Sequence, residues 1–346
     1  MMHTSCPIPK FDFDIITLAH GSGGLLTQRL LEWGVFDLLK NDALLQQHDG
    51  AVLEVEQKIA FSTDSYVVAP IFFPGGTIGD LAVNGTVNDL SMCGAAPRYL
   101  SLAFILEEGL PVLDFWKVLV SIRDAAQKAG VMIVTGDTKV VEKGKGDQIF
   151  INTSGIGYVH PKAYIHHQRI EPGDRIILSG PVANHGIAIM SRREGLEFET
   201  TIESDTRNLN IITQQLIEAF GDAIHFMRDP TRGGVATVLN ETARQTNWGI
   251  TLQQQAIPLE EQVEGACEML GLDPLYVANE GLFLAVVNRQ SANAFVSMLK
   301  AEKGFEQAAI IGTIVEEHPG TVVLHNKAGG RSVVPFLTGE QLPRIC

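Results

Sequence analysis

The sequence predicts two domains, each of which combines α-helices with β-strands in an α/β (α+β) arrangement. The chain has 346 residues, and a domain usually has ~100–150 residues, so two hydrophobic cores are expected. Runs with strand spacing alternate with runs of helical spacing in both halves, which favours a mixed class. A Pro-Gly turn at 171–174 precedes a new apolar strand and is typical of a domain entrance. We therefore predict a flexible N-terminal extension (1–17), a first domain (18–165), a second domain (166–335) and a mobile C-terminal tail (336–346).

The elements of the first domain follow from the spacing of its apolar residues. A glycine-rich turn at 18–24 precedes a helical run at 25–39, and Gly130 ends an amphipathic helix at 114–129. Small and apolar residues at 78–93 predict a buried helix. Strands are predicted at 59–65, 100–106, 131–134 and 149–159.

The second half repeats the same mixture without a fixed-period repeat. It opens with a strand at 175–179 that follows the Pro-Gly turn. Helices are predicted near 208–220 and 233–245, and further strands near 281–287 and 308–315.

Composition and charge exclude several classes of function. Hydrophobic residues make up 45% and charged residues 19% of the chain, which is a globular composition. The net charge is −14 and the chain has no Lys/Arg-rich run, so nucleic acid and acidic membranes are poor partners. We expect no signal peptide and no membrane span. Four scattered cysteines are too few for a disulfide scaffold, so we expect a cytoplasmic protein with reduced thiols.

Two glycine turns could bind phosphate, although the chain lacks both a P-loop and a GxGxxG motif after a strand. His20, Gly21, Ser22, Gly23 and Gly24 precede a helix, whose free N–H groups would suit an anion. A plain flexible turn explains these five residues about as well. Arg232, Gly233 and Gly234 also precede a helix. In this second turn Asp229 or Thr231 could cap the helix, and Arg232 is either a phosphate ligand or a solvated arginine.

Four aspartates adjoin apolar runs. A carboxylate in such a place is costly unless it is paired or bound to a metal, and Mg²⁺ is commonly held by carboxylates together with nucleotide phosphates. One such aspartate would be a cap or an ion-pair partner, but several beside two glycine turns favour a Mg²⁺–nucleotide site. Lys139 is either a cation near the phosphates or an exposed strand lysine. The four aspartates are Asp49, Asp64, Asp89 and Asp137.

Taken together, these motifs resemble the HypE family of hydrogenase maturation factors. That family lies in the superfamily of aminoimidazole ribonucleotide synthetase, selenophosphate synthetase and thiamin-monophosphate kinase. The resemblance extends from about Leu18 to the C-terminus and is highly specific, because PRIC stands at the very end. The motifs are HGSGG (20–24), FSTDSYVV (61–68), FFPGGTIGDLAVNGTVNDLSMCGAAPRYL (72–100), FILEEGLP (104–111), IVTGDTKVV (133–141), DPTRGGV (229–235), NEG (279–281) and PRIC (343–346).

The resemblance implies a two-domain aminoimidazole ribonucleotide synthetase-like fold and a homodimer whose N-terminal domains pair into a shared β-barrel. Mg²⁺ and ATP would lie in a cleft, held by aspartates. The four aspartates match the metal and phosphate positions, although the family's double aspartate is here His48-Asp49. Asn88 and Thr138 adjoin two of these aspartates and are assigned to the cofactor site with the two glycine turns.

The resemblance also implies a reaction on the terminal thiol. The carbamoyltransferase HypF would load a carbamoyl group onto Cys346, ATP would drive its dehydration to a thiocyanate, and cyanide would pass to iron on a HypC–HypD complex. Lys139 and Glu280 match polar residues near the family's site and are catalytic candidates, with Glu280 as general base. Cys346 would otherwise be a terminal residue without a role.

Two other functions remain open at this point. One is another ATP-using enzyme of the same superfamily, although Cys6 and Lys10 precede the glycine turn in a run that does not match selenophosphate synthetase. The other is a non-catalytic, nucleotide-dependent assembly factor. For the tail we expect an extended segment in which Arg344 holds the thiol near phosphate or lowers its pKa.

Overall fold

The computed structural model describes residues 13–17, 20, 29–41, 57–195, 202–336 and 344–345, with the side chain of Trp33 excepted. Within these residues no helix is long and apolar enough to cross a membrane. Of the predicted site residues, Gly21, Ser22, Gly23, Gly24, Asp49 and Cys346 lie outside the described part of the chain.

A four-stranded sheet forms the centre of the N-terminal domain. Its strands are β1 (Ile59–Tyr66), β4 (Ala95–Glu107), β5 (Met132–Val141) and β6 (Ile149–Val159). The order across the sheet is β1-β6-β4-β5, with β4 and β5 parallel and the other two pairs antiparallel. Two short strands, β2 (Phe72–Phe73) and β3 (Gly76–Thr77), form a separate hairpin.

Two helices, α1 (Ile78–Met92) and α2 (Val112–Ala129), contribute to the core beside this sheet. Thr77 and Asp80 form a capping box that fixes the start of α1. A Cβ on Gly79 would come within 2.3 Å of the Ser121 hydroxyl, so the glycine permits the close approach of α1 to α2. Almost every side chain of α1 is buried as a result, as the sequence predicts.

Apolar side chains also stand on the outer face of the sheet. Phe61, Ile156, Tyr99 and Met132 lie in one register row across the four strands. Phe61 is 66% exposed and Met132 is 46% exposed. Within the described chain this sheet is open, with β1 and β5 at its edges.

The C-terminal domain contains a seven-stranded, mainly antiparallel sheet of order β13-β12-β9-β11-β7-β10-β8. Its strands are β7 (Arg175–Leu178), β8 (Ile224–Arg228), β9 (Gly249–Gln253), β10 (Leu284–Val287), β11 (Ala309–Val315), β12 (Val322–His325) and β13 (Arg331–Val333). Its helices are α3 (Asn184–Glu194), α4 (Asn210–Phe220), α5 (Gly234–Thr246), α6 (Glu261–Leu270) and α7 (Ala292–Lys300). Short 3-10 turns occupy His167–Arg169, Gly221–Ala223, Gln254–Ala256 and Pro274–Tyr276.

The predicted elements are confirmed where the structure describes them, with three differences. The helix expected at 25–39 is described from residue 29 and contains a π-helical segment, Leu31–Phe36. β4 begins earlier than expected, at Ala95, and β5 extends to Val141, so Asp137 lies inside a strand and not after it. Hydrogen bonding to β4 along the whole length of β5 explains the second extension.

The chain ends are more ordered than expected in their described parts. Ile16 is fully buried, and its backbone exchanges hydrogen bonds with Gly109 and Leu110. Residues 13–17 therefore pack on the first domain and are not a free extension. At the other end, Ile345 is also buried, so the described tip of the tail is docked. The domain boundaries stay predictions.

Candidate active site

Three aspartates from both domains meet at one cleft. Asp64 lies on β1, Asp89 lies in the last turn of α1, and Asp229 follows directly after β8. The cleft has a volume of about 210 Å³. Its lining also includes Thr63, Arg228, Thr231, Arg232 and Val238.

Local packing fixes Asp64 and Asp89, the two aspartates that the N-terminal domain contributes to the cleft. A Cβ on Gly85 of α1 would come within 2.3 Å of the Tyr66 hydroxyl on β1, so this glycine lets helix and strand approach closely. The Ser62 hydroxyl donates a hydrogen bond of 2.7 Å to Asp89. Arg232 forms an ion pair of 2.5 Å with Asp64, so the arginine of the second glycine turn crosses from one domain to the other.

Burial and neighbouring carboxylates raise the pKa of three acidic side chains at the cleft, Asp89, Asp229 and Glu280. Burial raises the pKa of Asp89, and the nearby Asp64 carboxylate adds to this while the Ser62 hydrogen bond opposes it. Burial and the Asp89 charge raise the pKa of Asp229 to about 7. Burial, followed by the charges of Asp229 and Asp205, raises the pKa of Glu280 well above its usual value. The cleft is therefore built for a positive ligand.

Two carboxylate oxygens support the same conclusion. The Oδ2 atom of Asp229 and the Oε1 atom of Glu280 are buried and have no hydrogen-bond partner among the described residues. Unpaired buried carboxylate oxygens are rare and costly. No group of three acidic or other metal-binding side chains in the described ranges forms a complete cation site. Mg²⁺ in proteins is commonly bound by one or two carboxylates, with water and phosphate oxygens completing its shell.

The Asn-Glu-Gly segment positions Glu280. Asn279 accepts a hydrogen bond from the Ala183 amide and donates to the Pro230 carbonyl, which ties the segment to the start of α3 and to the second glycine turn. A Cβ on Gly281 would lie 1.6 Å from the Asp205 carbonyl oxygen. Glycine is therefore required, and the Asp205 carboxylate accepts hydrogen bonds from the amides of both Glu280 and Gly281.

Asn88 and the second glycine turn have structural roles that the sequence analysis did not predict. The Asn88 amide donates to the carbonyls of Arg207 and Glu280, and its oxygen accepts from the Leu209 amide. This side chain therefore joins the two domains. Gly233 and Gly234 both adopt left-handed backbone conformations. A Cβ on Gly234 would approach the Leu275 carbonyl oxygen to 2.5 Å, so close packing also requires this glycine.

Asp137, Thr138 and Lys139 lie away from this cleft within one chain. In the sheet register, Asp64 on β1 lies opposite Thr153 on β6, and Thr153 lies opposite Leu102 on β4. Leu102 in turn lies opposite Gly136 on β5, at the other edge of the sheet. Three strand spacings of ~4.8 Å give a separation of roughly 14 Å. The exposed Asp137 instead pairs with Lys139 at 2.7 Å, which keeps the pKa of Asp137 below its usual value. A single chain does not bring the predicted metal set together.

His20 is buried, and burial lowers the pKa of its imidazole. Its Nδ1 atom accepts a hydrogen bond from the Thr17 amide, and its ring packs on Phe13. Sequence reasoning does not identify Asp229 as a site residue, because its position before a helix predicts only a cap. In the structure Gly233 precedes α5, and no side chain caps it. The signal that could have identified Asp229 is its position directly after a short apolar strand.

Comparisons with known proteins agree with this architecture. Residues 47–159 match the model of the AIR synthase related protein N-terminal domain, and residues 171–325 match the C-terminal domain of the same family. The chain is 47% identical to the carbamoyl dehydratase HypE of Azotobacter vinelandii, over 96% of this chain and 97% of that protein. The crystal structure of the hydrogenase maturation protein HypE in complex with ATP superposes with a TM-score of 0.92 at 45% identity, over 95% of this chain and 99% of that one.

A crystal structure of a HypE–HypF complex is also similar, with a TM-score of 0.78 and 43% identity, over 91% of this chain and 100% of that chain. Two AIR synthase-like domains therefore form this chain, with the cleft between them.

Proposed function

This chain belongs to the HypE family, and we propose that it is an ATP-dependent carbamoyl dehydratase that acts in hydrogenase maturation. The observation that carries this proposal is the cleft in which Asp64, Asp89 and Asp229 meet beside the buried Glu280. The similarity to a HypE structure with bound ATP supports a nucleotide as the occupant of that cleft.

We propose that the substrate is a carbamoyl group on the thiol of Cys346. ATP phosphorylates the carbamoyl oxygen, which turns a poor leaving group into a good one. The oxygen then leaves with the phosphate. The nitrogen loses both hydrogens, one carried off on the phosphate and one released as a proton, and a thiocyanate remains on the sulfur. The cyanide group would then pass to iron on a HypC–HypD complex.

The residues of the cleft fit a Mg²⁺–nucleotide. One or two of Asp64, Asp89 and Asp229 would bind the ion, with water and phosphate oxygens completing its shell, and the unpaired Oδ2 atom of Asp229 is an oxygen that needs such a partner. Arg232 is 74% exposed in its side chain and stands at the rim, where it could turn from Asp64 to a phosphate. When bound, Mg²⁺ would offset the charge that develops on the transferred phosphoryl group.

Glu280 suits the role of general base. Its Oε1 atom is buried and has no partner among the described residues, while its backbone is fixed by Asp205. Burial and the neighbouring carboxylates raise the pKa of this side chain, so its ionised form is a strong proton acceptor. A cation bound by Asp229 would reduce the repulsion and allow Glu280 to ionise.

A homodimer would bring Lys139 and Asp137 to the site. The apolar row on the outer face of the sheet supports such an interface, since large exposed apolar patches commonly mark protein contacts. A second chain on this face would also close the open sheet into the shared barrel that the family resemblance implies. HypF is the proposed donor of the carbamoyl group, and the similarity to a HypE–HypF complex supports that partner.

Intact-mass analysis tests the proposal. With HypF, carbamoyl phosphate and ATP, the parent protein should gain one carbamoyl mass and then lose one water. Cys346→Ala should show neither change and should still bind Mg²⁺–ATP. Cys93→Ala, which removes the exposed thiol at the end of α1, is the matched control and should behave like the parent. Full hydrogenase maturation by Cys346→Ala would reject the proposed function.

A further inference from the structure

The last described residues, Arg344 and Ile345, contact both the N-terminal domain and helix α3 of the C-terminal domain. Ile345 is 4% exposed and belongs to the hydrophobic core of the N-terminal domain. The Arg344 guanidinium donates two hydrogen bonds to the Val67 carbonyl and forms an ion pair with Asp147. Its backbone has a φ of 55°, a left-handed conformation that is uncommon for arginine and needs surrounding contacts to hold it.

The C-terminal domain holds the backbone of the same two residues. The His185 Nε2 atom lies 2.9 Å from the Ile345 carbonyl oxygen. Arg193 donates one hydrogen bond to the Arg344 carbonyl and another, of 2.5 Å, to the Ala69 carbonyl. Both peptide carbonyls of the tail tip are therefore bound by side chains of α3.

The hydrogen-bond network fixes the tautomer of His185. Its Nδ1 atom lies 2.7 Å from the Ser204 hydroxyl, which already accepts a hydrogen bond from the Thr206 amide. The hydroxyl proton is thus directed at Nδ1, and Nε2 carries the proton that it donates to Ile345. Burial lowers the pKa of His185, so the ring stays neutral at neutral pH.

We propose that Asp147, His185 and Arg193 form a receptor for the chain's own Arg344-Ile345 segment, and that this receptor positions the adjoining thiol for reaction. The proposal rests on the proposed function only in one respect, namely that this function makes the thiol of Cys346 the reacting group. Its link to the reaction site is short, because Asp205 follows Ser204 in sequence and binds the amide of Glu280.

The receptor should select arginine over lysine at position 344. The guanidinium presents several donors in one plane and satisfies the Val67 carbonyl and Asp147 together, which a lysine ammonium on a flexible stem does less well. These contacts of the Arg344 side chain differ from our expectation that it would hold the thiol near phosphate or lower the pKa of the thiol. In the structure its side chain faces the β5–β6 loop, which carries Asp147.

Alkylation of Cys346 by N-ethylmaleimide tests the receptor without ATP or HypF. Cleavage after Glu340 releases the 341–346 peptide, so mass spectrometry reports the rate at this one thiol. The parent should react more slowly than the free synthetic 341–346 peptide. Asp147→Ala and Arg344→Lys should each react about two- to five-fold faster than the parent, the range for a partly exposed ion pair. His185→Phe should react about ten-fold faster, because a buried donor is lost.

Conservative variants and controls separate this role from general loosening. Asp147→Glu and His185→Gln keep an acceptor and a donor and should restore most of the protection. Asp222→Ala removes an exposed carboxylate elsewhere and should match the parent, and the rate at Cys93 should stay constant in every variant. A parent rate equal to that of the free peptide, or equal rates in the parent and in the Asp147 and His185 variants, overturns the receptor. These outcomes leave the proposed function intact if Cys346 still becomes cyanated.

Discussion

Replacing Asp229 by asparagine should stabilise the protein without metal and yet abolish its response to Mg²⁺. The Asp229 carboxylate is buried, faces the charge of Asp89 and has one oxygen without a partner among the described residues. Asparagine has nearly the same shape but no charge. The substitution therefore removes an electrostatic cost and, in the same step, a proposed ligand of the cation.

The size and pH dependence follow from the pKa of Asp229. Its pKa rises from 3.8 in the unfolded chain to about 7 in the folded protein, so the folded state holds this proton more tightly. The free energy of unfolding therefore falls as pH rises from about 4 to about 7. Since one pKa unit corresponds to ~1.4 kcal/mol, the loss is at most about 4 kcal/mol. Asp229→Asn should remove this loss, with an advantage that is small near pH 4 and largest above pH 7.

Urea unfolding at several pH values, with EDTA or with Mg²⁺–ATP, measures both effects. In EDTA the variant should be more stable than the parent at pH 8 and nearly equal to it at pH 4. Mg²⁺–ATP should stabilise the parent and leave the variant unchanged. Asp222→Asn, at an exposed position, should match the parent throughout. A stability difference that does not change with pH, or a variant that still gains stability from Mg²⁺–ATP, would refute the reasoning.

Three further predictions test the cleft, the interface and the base. Asp64→Asn and Asp89→Asn should each abolish Mg²⁺-dependent ATP hydrolysis while circular dichroism stays unchanged; parent-like Mg²⁺–ATP binding by both would remove them from the site. Phe61→Glu should shift the protein from dimer to monomer in sedimentation at micromolar concentration, because it places a charge in the exposed apolar row; a dimeric variant would locate the interface elsewhere. Glu280→Gln should still be carbamoylated on Cys346 but should lose water ~10²–10⁴-fold more slowly, as followed by intact mass, and a parent-like rate would exclude Glu280 as the base.

The sequence predicted most of the fold because its strongest patterns are local. Helices α1 and α2 have long runs with helical spacing, and Gly130 ends α2 in the left-handed conformation expected of it. Helix α3 was missed for a physical reason. It begins after Ala183, which has a φ of 77°, and no side chain caps it, so its start resembles an ordinary turn in the sequence.

The site was harder to predict, because it depends on which strands become neighbours. Asp64 and Asp137 look alike in the sequence, each standing near the end of an apolar run. The strand order places them at opposite edges of one sheet, and no local pattern reveals this order. Asp229 resembled a helix cap until the docking of the two domains placed it beside Asp89.

The repulsion within the cleft explains why Asn88 is where it is. The buried Asp229 of the C-terminal domain faces the charges of Asp89 and Asp64 in the N-terminal domain. This repulsion opposes the close approach of the two domains, so neutral contacts must hold them together. Asn88 provides such contacts through three hydrogen bonds to the C-terminal domain, one of which goes to the carbonyl of Glu280. Because Asn88 precedes Asp89 directly on α1, the same side chain that joins the domains also sets how closely Asp89 approaches Glu280. The hydrogen bonds of the buried, uncharged Asn88 side chain therefore offset the repulsion between the carboxylates of the cleft. A bound cation would reduce that repulsion and leave these hydrogen bonds in place.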